Sequence, residues 1–465
     1  MRLNDFLPRS QRQFQGWLAA LFALAFANSV GGVFQFDDFN VIVDLAVVQN
    51  LQNWWADAGQ GIRPLLKLSY TLNWISGWDL IGFHAVNLMI HGATIWLVYR
   101  LSQEFLAEKN LLQRVPLVPL LSAALFALHP ANTEAVTYIS GRSSSLMTLL
   151  YLSGLLVYAT QSTGQGQRRA RWLVSMCFVM AMAVKESAVT FPLALFLWDM
   201  ACGEKWKVSL RKGWTTWAAL LMAATYFLCN DAYRASVERS ANFNTLAGNA
   251  ATQAQALLYL FRQWLLPLWL NIDPDLAVQR DWSHATLTLG FVLGLLLMTA
   301  LVGRKRPWIS FALAWALLHL LLLYLFVPRL DVANDRQLYL AAWPLCLALM
   351  IELQLGLPRR IAAVVVTVLL SGLAMLTFLR NQDYQSEVAL WEQTVRVSPG
   401  KSRVHGNLGY AYQLAERPVQ ARLEYLQALR LDPDNVKARL NLRRLNAQKT
   451  KTGDPAAPLA VGPQL

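Results

Sequence analysis

Charged residues are scarce in this sequence, and their scarcity excludes most soluble proteins. Asp, Glu, Lys and Arg make up 15% of the 465 residues, whereas 55% of the residues are hydrophobic. Soluble domains carry roughly 25% charged residues. The composition therefore indicates a polytopic membrane protein. The 18 tryptophans agree with this class, because Trp collects at membrane interfaces.

Cysteine is also rare, and no CxxC motif occurs. The four cysteines lie within or beside apolar runs: Cys177, Cys202, Cys229 and Cys346. They do not indicate a disulfide framework. Acidic residues are fewer than basic ones, 28 against 41, which gives a net charge of +13. Because excess Lys and Arg in a membrane protein lies in cytoplasmic loops, we expect no nucleic-acid partner.

Apolar runs of roughly 20 residues are typical of helices that cross a membrane. The sequence predicts about eleven of them: 16–34, 81–101, 117–130, 143–160, 172–185, 187–201, 214–230, 285–303, 308–328, 337–355 and 361–379. The first run is long for the apolar part of a signal peptide, and no convincing small-residue cleavage site follows it. We therefore interpret it as a membrane anchor.

Basic residues predict the orientation of these spans. They cluster before the first span and after the second, fourth, sixth, eighth and tenth: Arg2, Arg9, Arg12; Lys109, Arg114; Arg168, Arg169, Arg171; Lys205, Lys207, Arg211, Lys212; Arg304, Lys305, Arg306; Arg359, Arg360. All of them fall on one side, which is then cytoplasmic and includes the N-terminus. A further span at 251–272 would move the last two clusters outside, and this segment contains Arg262 and Pro267. We interpret it as an interfacial or re-entrant helix on the outer face.

The sequence becomes polar after Arg380, and its C-terminus is then expected on the outer side. Residues 407–435 match a tetratricopeptide repeat at its spaced positions: Leu408, Gly409, Tyr412, Ala421, Tyr425, Ala428 and Pro433. Fewer than three full repeats seldom fold alone. We therefore expect a helical unit at 381–448 that leans on a membrane domain at 1–380. The tail, 449–465, is predicted to be disordered.

Charged residues concentrate in the outer loops, at the hydrocarbon boundary, where a charge is costly and usually marks a site or a polar cavity. Asp37 and Asp38 stand directly after the first span. Other charged residues are expected on the same face: Arg63, Arg142, Lys185, Glu186 and Arg336. Neighbouring side chains diverge on a strand or a helix, so the two aspartates are expected to have unequal roles. The alternative is that both simply end the first helix.

The histidines allow several interpretations. His84 and His91 share a helical face, but two helical turns, about 10 Å, separate them, which is too far for one metal ion. We expect interhelical hydrogen bonds, with His84 nearer the active face. His129, before Pro130, is either a substrate contact or a helix cap. Glu134 is expected to pair with Arg142 or Lys185 to support the site.

Several motifs follow one another in a family-specific order: FDDFNVI, RPLLKLSYTLN, GFHAVNLMIH, LFALHPANTEAVTYISGR, VKES and DRQLYLA. The chain resembles the TMTC family, membrane O-mannosyltransferases with lumenal tetratricopeptide repeats. It also resembles the wider GT-C glycosyltransferase superfamily. It departs from the TMTC pattern in its shorter repeat array and in DRQLYLA, where the family usually has the acidic ERYLYLP.

The resemblance implies an all-α, GT-C-like fold and an inverting glycosyltransferase that draws its sugar from a polyprenyl-phosphate-linked donor. Asp37 and Asp38 would be catalytic, with Asp37 favoured as the general base. The other aspartate would hold a cation, cap a helix or bind a divalent metal. Substrate would be bound by Arg63, His84, His129, Glu134, Arg142, Lys185, Glu186 and Arg336.

The expected location is a bacterial inner membrane, since the repeat array is short and the loops are compact. The acceptor would be a protein or glycan in the periplasm, presented with help from the tetratricopeptide unit. One rival is an enzyme like an oligosaccharyltransferase or an O-antigen ligase, but those have a large outer loop late in the chain. Another is a non-catalytic scaffold or a transporter, and the matched half-repeats of a transporter are absent from the sequence.

Overall fold

A computed structural model of the protein describes residues 11–161, 166–241, 243–282, 285–326 and 331–452. It is all-helical, as predicted, and these ranges contain no strand. The α-helices are α1 Gln11–Phe26, α2 Leu51–Asp57, α3 Pro64–Ser76, α4 Asp79–Glu108, α5 Val118–Leu128, α6 Thr133–Val136, α7 Arg142–Ala159, α8 Gly166–Val184, α9 Phe191–Cys202, α10 Trp206–Lys212, α11 Trp214–Cys229, α12 Asp231–Ala241, α13 Leu246–Leu265, α14 Thr286–Val302, α15 Pro307–Leu317, α16 Leu323–Phe326, α17 Leu338–Gly356, α18 Arg359–Asp383, α19 Glu387–Val397, α20 Ser402–Leu414, α21 Pro418–Leu431 and α22 Val436–Thr452.

Short 3₁₀ and π segments connect several of these helices. The 3₁₀ segments are Ser29–Gly31, Ala46–Val48, Pro130–Asn132, Ile139–Gly141, Glu186–Thr190 and Asp335–Gln337, and the π segments are Phe39–Val43 and Leu318–Leu322. Proline begins α3 at Pro64, where its missing N–H has no helical partner to lose. Gly77 ends the same helix with a left-handed φ of 70°, which glycine adopts without steric penalty.

Each of the eleven predicted spans overlaps one of these helices. Within the described ranges, three helical stretches are long and apolar enough to cross a membrane: Asp79–Glu108, Asp335–Gly356 and Arg359–Asp383. Five shorter apolar stretches accompany them: Ala19–Gly31, Val118–Leu128, Trp214–Cys229, Thr286–Val302 and Pro307–Leu322. These helices identify a membrane protein, and the number of crossings stays a prediction.

The centre of the membrane domain is formed by α4, α5, α7 and α17. His91 of α4 makes interhelical hydrogen bonds, as expected: its Nδ1 lies 2.7 Å from the Tyr339 hydroxyl of α17, and its Nε2 lies 3.3 Å from the Ala127 carbonyl of α5. Trp343 of α17 donates its indole N–H to Ser102 Oγ of α4 at 3.1 Å. Polar side chains thus join helices that are otherwise packed through apolar surface.

The C-terminal helices α19–α22 pack on the membrane domain. Trp391 and Leu408 of this unit share one apolar cluster with Tyr138 and Ile272 of the membrane domain. Ion pairs extend the contact: Asp273 accepts from Lys401 at 2.6 Å and from Arg403 at 2.5 Å, and Arg403 also donates to Asp331 at 2.6 Å. The C-terminal unit is therefore held against the membrane domain by both apolar packing and ion pairs.

The hairpin of α20 and α21 is closely packed. Ala421, Tyr425 and Ala428 are fully buried. A Cβ placed on Gly409 would lie 2.7 Å from the Tyr425 ring, so only glycine fits at that crossing. The last helix, α22, extends to Thr452 and so enters the segment predicted to be a disordered tail; residues 453–465 of that segment lie outside the described residues.

Candidate active site

The two adjacent aspartates have different surroundings. Asp38 is fully buried and bonds within the protein through both carboxylate oxygens. Its Oδ2 accepts from the Gln35 N–H at 3.0 Å, and its Oδ1 accepts from the Ser140 N–H at 2.8 Å and from the Ser140 hydroxyl. Burial raises the pKa of Asp38 to about 7, and the hydrogen bonds from Ser140 and Gln35 oppose this shift. Asp38 thus joins the turn at residues 36–38, called the aspartate turn below, to the Ile139–Gly141 segment.

Asp37 faces a cavity of about 300 Å³. Its side chain is 35% exposed, and its Oδ2 lies 3.8 Å from the Arg336 guanidinium. Its backbone N–H donates to the Tyr138 hydroxyl at 2.9 Å. Burial raises the pKa of the Asp37 carboxyl above its usual value, while the positive charge of Arg336 acts in the opposite direction. Asp37 is thus the member of the pair that can meet a substrate.

The cavity is lined by both aliphatic and cationic side chains. Its lining comprises Asp37, Val41, Leu45, Ile62, Arg63, Leu66, Lys67, Tyr70, Ser140, Ser143, Lys185 and Arg336. Four of the predicted site residues are therefore brought together: Asp37, Arg63, Lys185 and Arg336. The aliphatic residues of the lining come from the segment between α1 and α3 and from α3 itself. This arrangement suits a ligand with an anionic head and an apolar tail.

Lys67 is a cationic residue of the cavity that the sequence interpretation missed. It lies four residues after Arg63, and side chains at that spacing share one face of a helix. This spacing in RPLLK was the signal that could have revealed it. The Lys67 ammonium also pairs with Asp57 at 2.6 Å, which ties α3 to α2.

Glu186 binds Arg63 rather than lining the cavity. Its carboxylate accepts from the Arg63 Nε at 3.0 and 3.1 Å and from Nη2 at 2.8 Å, a bidentate pair. Arg63 precedes α3 with a left-handed φ of 55°, which is unusual for a residue with a side chain. The ion pair with Glu186 thus orients the Arg63 side chain, which lines the cavity.

Glu134 pairs with Arg336, and the expected pairing with Arg142 or Lys185 was wrong. Its Oε2 accepts from the Arg336 backbone N–H at 3.1 Å, and its Oε1 lies 3.4 Å from Arg336 Nε. Lys185 donates instead to Ser144 Oγ at 2.7 Å. Since Glu134 is fully buried, its carboxylate fixes the guanidinium that faces Asp37.

Arg142 lies outside the cavity lining, although it was predicted to bind substrate. Its buried guanidinium donates to Asn87 Oδ1 at 2.6 Å, to the Phe83 carbonyl at 3.0 Å and to the Ser69 carbonyl at 3.1 Å. It also stacks 4.9 Å from the centre of the Tyr70 ring. These contacts join α7 to α3 and α4 next to Tyr70, which lines the cavity.

The two predicted histidines also lie outside the cavity lining. His84 Nε2 is 3.1 Å from the Gly32 carbonyl, so it holds the chain just before the aspartate turn. His129 Nδ1 accepts from the Ala131 N–H at 3.2 Å, and its Nε2 lies 2.9 Å from the Trp264 carbonyl. Of the two roles left open for His129, the structure shows the capping one.

A divalent metal does not fit the aspartate pair. Both oxygens of Asp38 accept hydrogen bonds from Gln35 and Ser140. Across the residues that the structure describes, no three His, Cys, Asp or Glu side chains come close enough together to hold an ion.

Several known proteins of one family are similar to this chain. No protein-family model and no solved structure matches the sequence. Three curated relatives are named protein O-mannosyl-transferases: Tmtc3 of Drosophila melanogaster (24% identical, 82% of this chain and 50% of the relative), TMTC3 of Homo sapiens (23%, 93% and 53%) and TMTC4 of Homo sapiens (26%, 83% and 62%). The chain is similar to the TMTC protein O-mannosyl-transferases. The resemblance inferred from the ordered motifs is confirmed, and the chain spans about half to two thirds of the length of these relatives.

Proposed function

We propose that this chain is a GT-C-type inverting glycosyltransferase. It transfers a sugar from a polyprenyl-phosphate-linked donor to a protein or glycan acceptor on the periplasmic face of a bacterial inner membrane. Similarity to TMTC proteins along most of the chain supports a transferase acting on proteins. The observation that carries the proposal is the position of Asp37, a carboxylate in a cavity surrounded by cations.

Asp37 has the properties that a general base needs. Its carboxylate reaches the cavity, and the raised pKa brings its basicity closer to the neutral pH at which it must take a proton. In the proposed step, Asp37 accepts the proton of the acceptor hydroxyl while that oxygen attacks the sugar C1. The bond between C1 and the donor phosphate oxygen breaks on the opposite face, and its electron pair stays on the phosphate. Attack opposite the leaving group inverts the configuration at C1.

The cationic side chains of the lining suit the leaving phosphate. Arg63, Lys67, Lys185 and Arg336 line the cavity. Preorganised cations stabilise charge that develops in a transition state, and a water-poor site strengthens the effect. Glu186 and Glu134 hold two of these side chains in place, so their geometry is fixed before substrate arrives.

The aliphatic side chains of the lining suit the lipid part of the donor. They are Val41, Leu45, Ile62 and Leu66. A carrier that lies in the outer leaflet would place its first isoprene units against these side chains and its phosphate against the cationic ones. One cavity would thus recognise both halves of a polyprenyl phosphate.

The test is transfer by the purified protein from synthetic polyprenyl-phosphate sugars, with mass spectrometry of the lipid that copurifies. We expect inverted product and a polyprenyl monophosphate. Lys185→Gln should weaken donor binding by roughly 10–100-fold, because a hydrogen bond to a charged group contributes about 1.5–3 kcal/mol. Lys205→Gln is the matched control at an exposed position. A pyrophosphate carrier would support the oligosaccharyltransferase-like alternative instead, and absence of both binding and transfer would support a scaffold.

The proposed face of action can be tested separately. In a variant lacking all four native cysteines, single cysteines at Ala247 and Gly303 should label from opposite sides, Ala247 from the periplasm. This arrangement keeps all the predicted basic clusters cytoplasmic. Labelling of both positions from the same side would refute the eleven-span topology.

A further inference from the structure

The residue directly before Asp37 has an unusual backbone. Phe36 has a φ of 48°, in the left-handed region that bulky residues avoid. Such a conformation persists only where neighbouring groups determine it, and it is common at functional sites. The backbone conformation of Phe36 sets the direction of the chain at the next residue. The direction of the Asp37 side chain therefore depends on the φ angle of Phe36.

Helix α19 of the C-terminal unit holds Phe36 in this conformation. The Phe36 N–H donates to Glu387 Oε1 at 3.0 Å. The Phe36 ring packs edge-on against the Trp391 ring, with 5.1 Å between the ring centres. Trp391 is 1% exposed, so this contact belongs to a buried cluster. One side chain therefore fixes the Phe36 backbone, and the other fixes its ring.

The junction between α18 and α19 holds the preceding residues of the same segment. Gln35 donates its side-chain amide to the Tyr384 carbonyl at 2.5 Å. Gln385 donates to the Asn28 carbonyl at 2.6 Å. The chain from residue 28 to residue 36 is therefore attached to the start of the C-terminal unit at several points.

The membrane domain holds the opposite side of the turn. Asp37 donates its N–H to the Tyr138 hydroxyl at 2.9 Å, and Asp38 accepts from the Ser140 N–H at 2.8 Å. The aspartate turn is thus clamped between residues 138–140 and α19. Its position depends on contacts from two parts of the chain that are far apart in sequence.

We propose that Glu387 and Trp391 are positioning residues for the Asp37 carboxylate. They hold Phe36 in its left-handed conformation and thereby direct Asp37 into the cavity. This inference rests on the proposed role of Asp37 as the general base. The C-terminal unit would then have a second role besides presenting an acceptor, because its first helix, α19, fixes the geometry of the aspartate turn.

Kinetics of Glu387 variants test the inference. Glu387→Ala removes the acceptor of the Phe36 N–H, and a misplacement of about 1 Å can cost roughly 100-fold in rate. We expect kcat to fall by about 10–100-fold while donor Kd stays unchanged. Glu387→Gln should keep most of the rate, because its amide oxygen can accept the same hydrogen bond. Glu392→Ala is the matched control, since Glu392 pairs with Tyr412 inside the unit.

A double-mutant cycle separates positioning from a general loss of structure. If Glu387 acts through Asp37, Glu387→Ala should slow the wild type but have no further effect on Asp37→Asn. The inference would be overturned if the two rate losses multiplied in the double variant. It would also be overturned if Glu387→Ala kept the wild-type rate. A wild-type rate for Asp37→Asn would overturn the proposed base and this inference together. Thermal unfolding of each variant identifies any that fail to fold. If Glu387→Ala fails to fold, the kcat of Glu387→Gln decides: a value near that of the wild type supports the inference, and a loss overturns it.

Discussion

Removal of the Asp38 carboxylate should affect stability more than chemistry. Asp38→Ala leaves three donors without their acceptor: the N–H groups of Gln35 and Ser140 and the Ser140 hydroxyl. A buried donor without a partner costs about 1–3 kcal/mol. The hydroxyl can rotate towards another acceptor, so the two N–H groups set the loss at about 2–6 kcal/mol. Asp38→Asn keeps one acceptor oxygen and should lose about half as much.

The assay is thermal unfolding of the purified variants in detergent, followed by the transfer rate per folded molecule. We expect unfolding temperatures in the order wild type, Asp38→Asn, Asp38→Ala. Below its unfolding temperature, the folded fraction of Asp38→Asn should retain transfer, because Asp38 is buried behind Ser140 and does not itself line the cavity. An Asp38→Asn protein that is as stable as the wild type and inactive would refute this division of roles.

Two further predictions follow from other contacts. Arg336 lowers the pKa of Asp37, so Arg336→Gln should raise that pKa. Because the base acts in its ionised form, the acid limb of the kcat/KM profile should then move to higher pH; a shift to lower pH would contradict the assignment. Ala421→Arg places an unpaired charge at a fully buried position of α21 and should destabilise the C-terminal unit by several kcal/mol. Val419→Arg, at an exposed position of the same helix, should leave thermal unfolding unchanged, and equal unfolding of both variants would contradict the hairpin packing.

The helices were predictable because their signals are local. The apolar runs that predicted the spans depend on residues close in sequence. The gathering of Arg63, Lys185 and Arg336 near Asp37 also followed from sequence, since Lys185 and Arg336 stand at predicted outer ends of spans and Arg63 lies in the predicted first outer loop. What the runs could not reveal is where helices stop: the 308–328 run is divided into α15, the π segment Leu318–Leu322 and α16.

Pairings between distant segments were not predictable in the same way. Glu134 has several arginines and lysines on its predicted face, and only packing selects Arg336, 202 residues away. The contact between Phe36 and Glu387 spans 351 residues. No local pattern marks either pair. Adjacent aspartates could be expected to diverge, but the burial of Asp38 depends on Ser140 and so on the tertiary fold.

The central claim is that Asp37 is the general base, and single-turnover glycosyl transfer by Asp37→Asn tests it most directly. Asn is nearly isosteric with Asp, so folding and donor binding should persist. The rate should fall by roughly 10²–10⁴-fold, the usual contribution of a general base. A wild-type transfer rate for Asp37→Asn, with donor binding intact, would contradict the account.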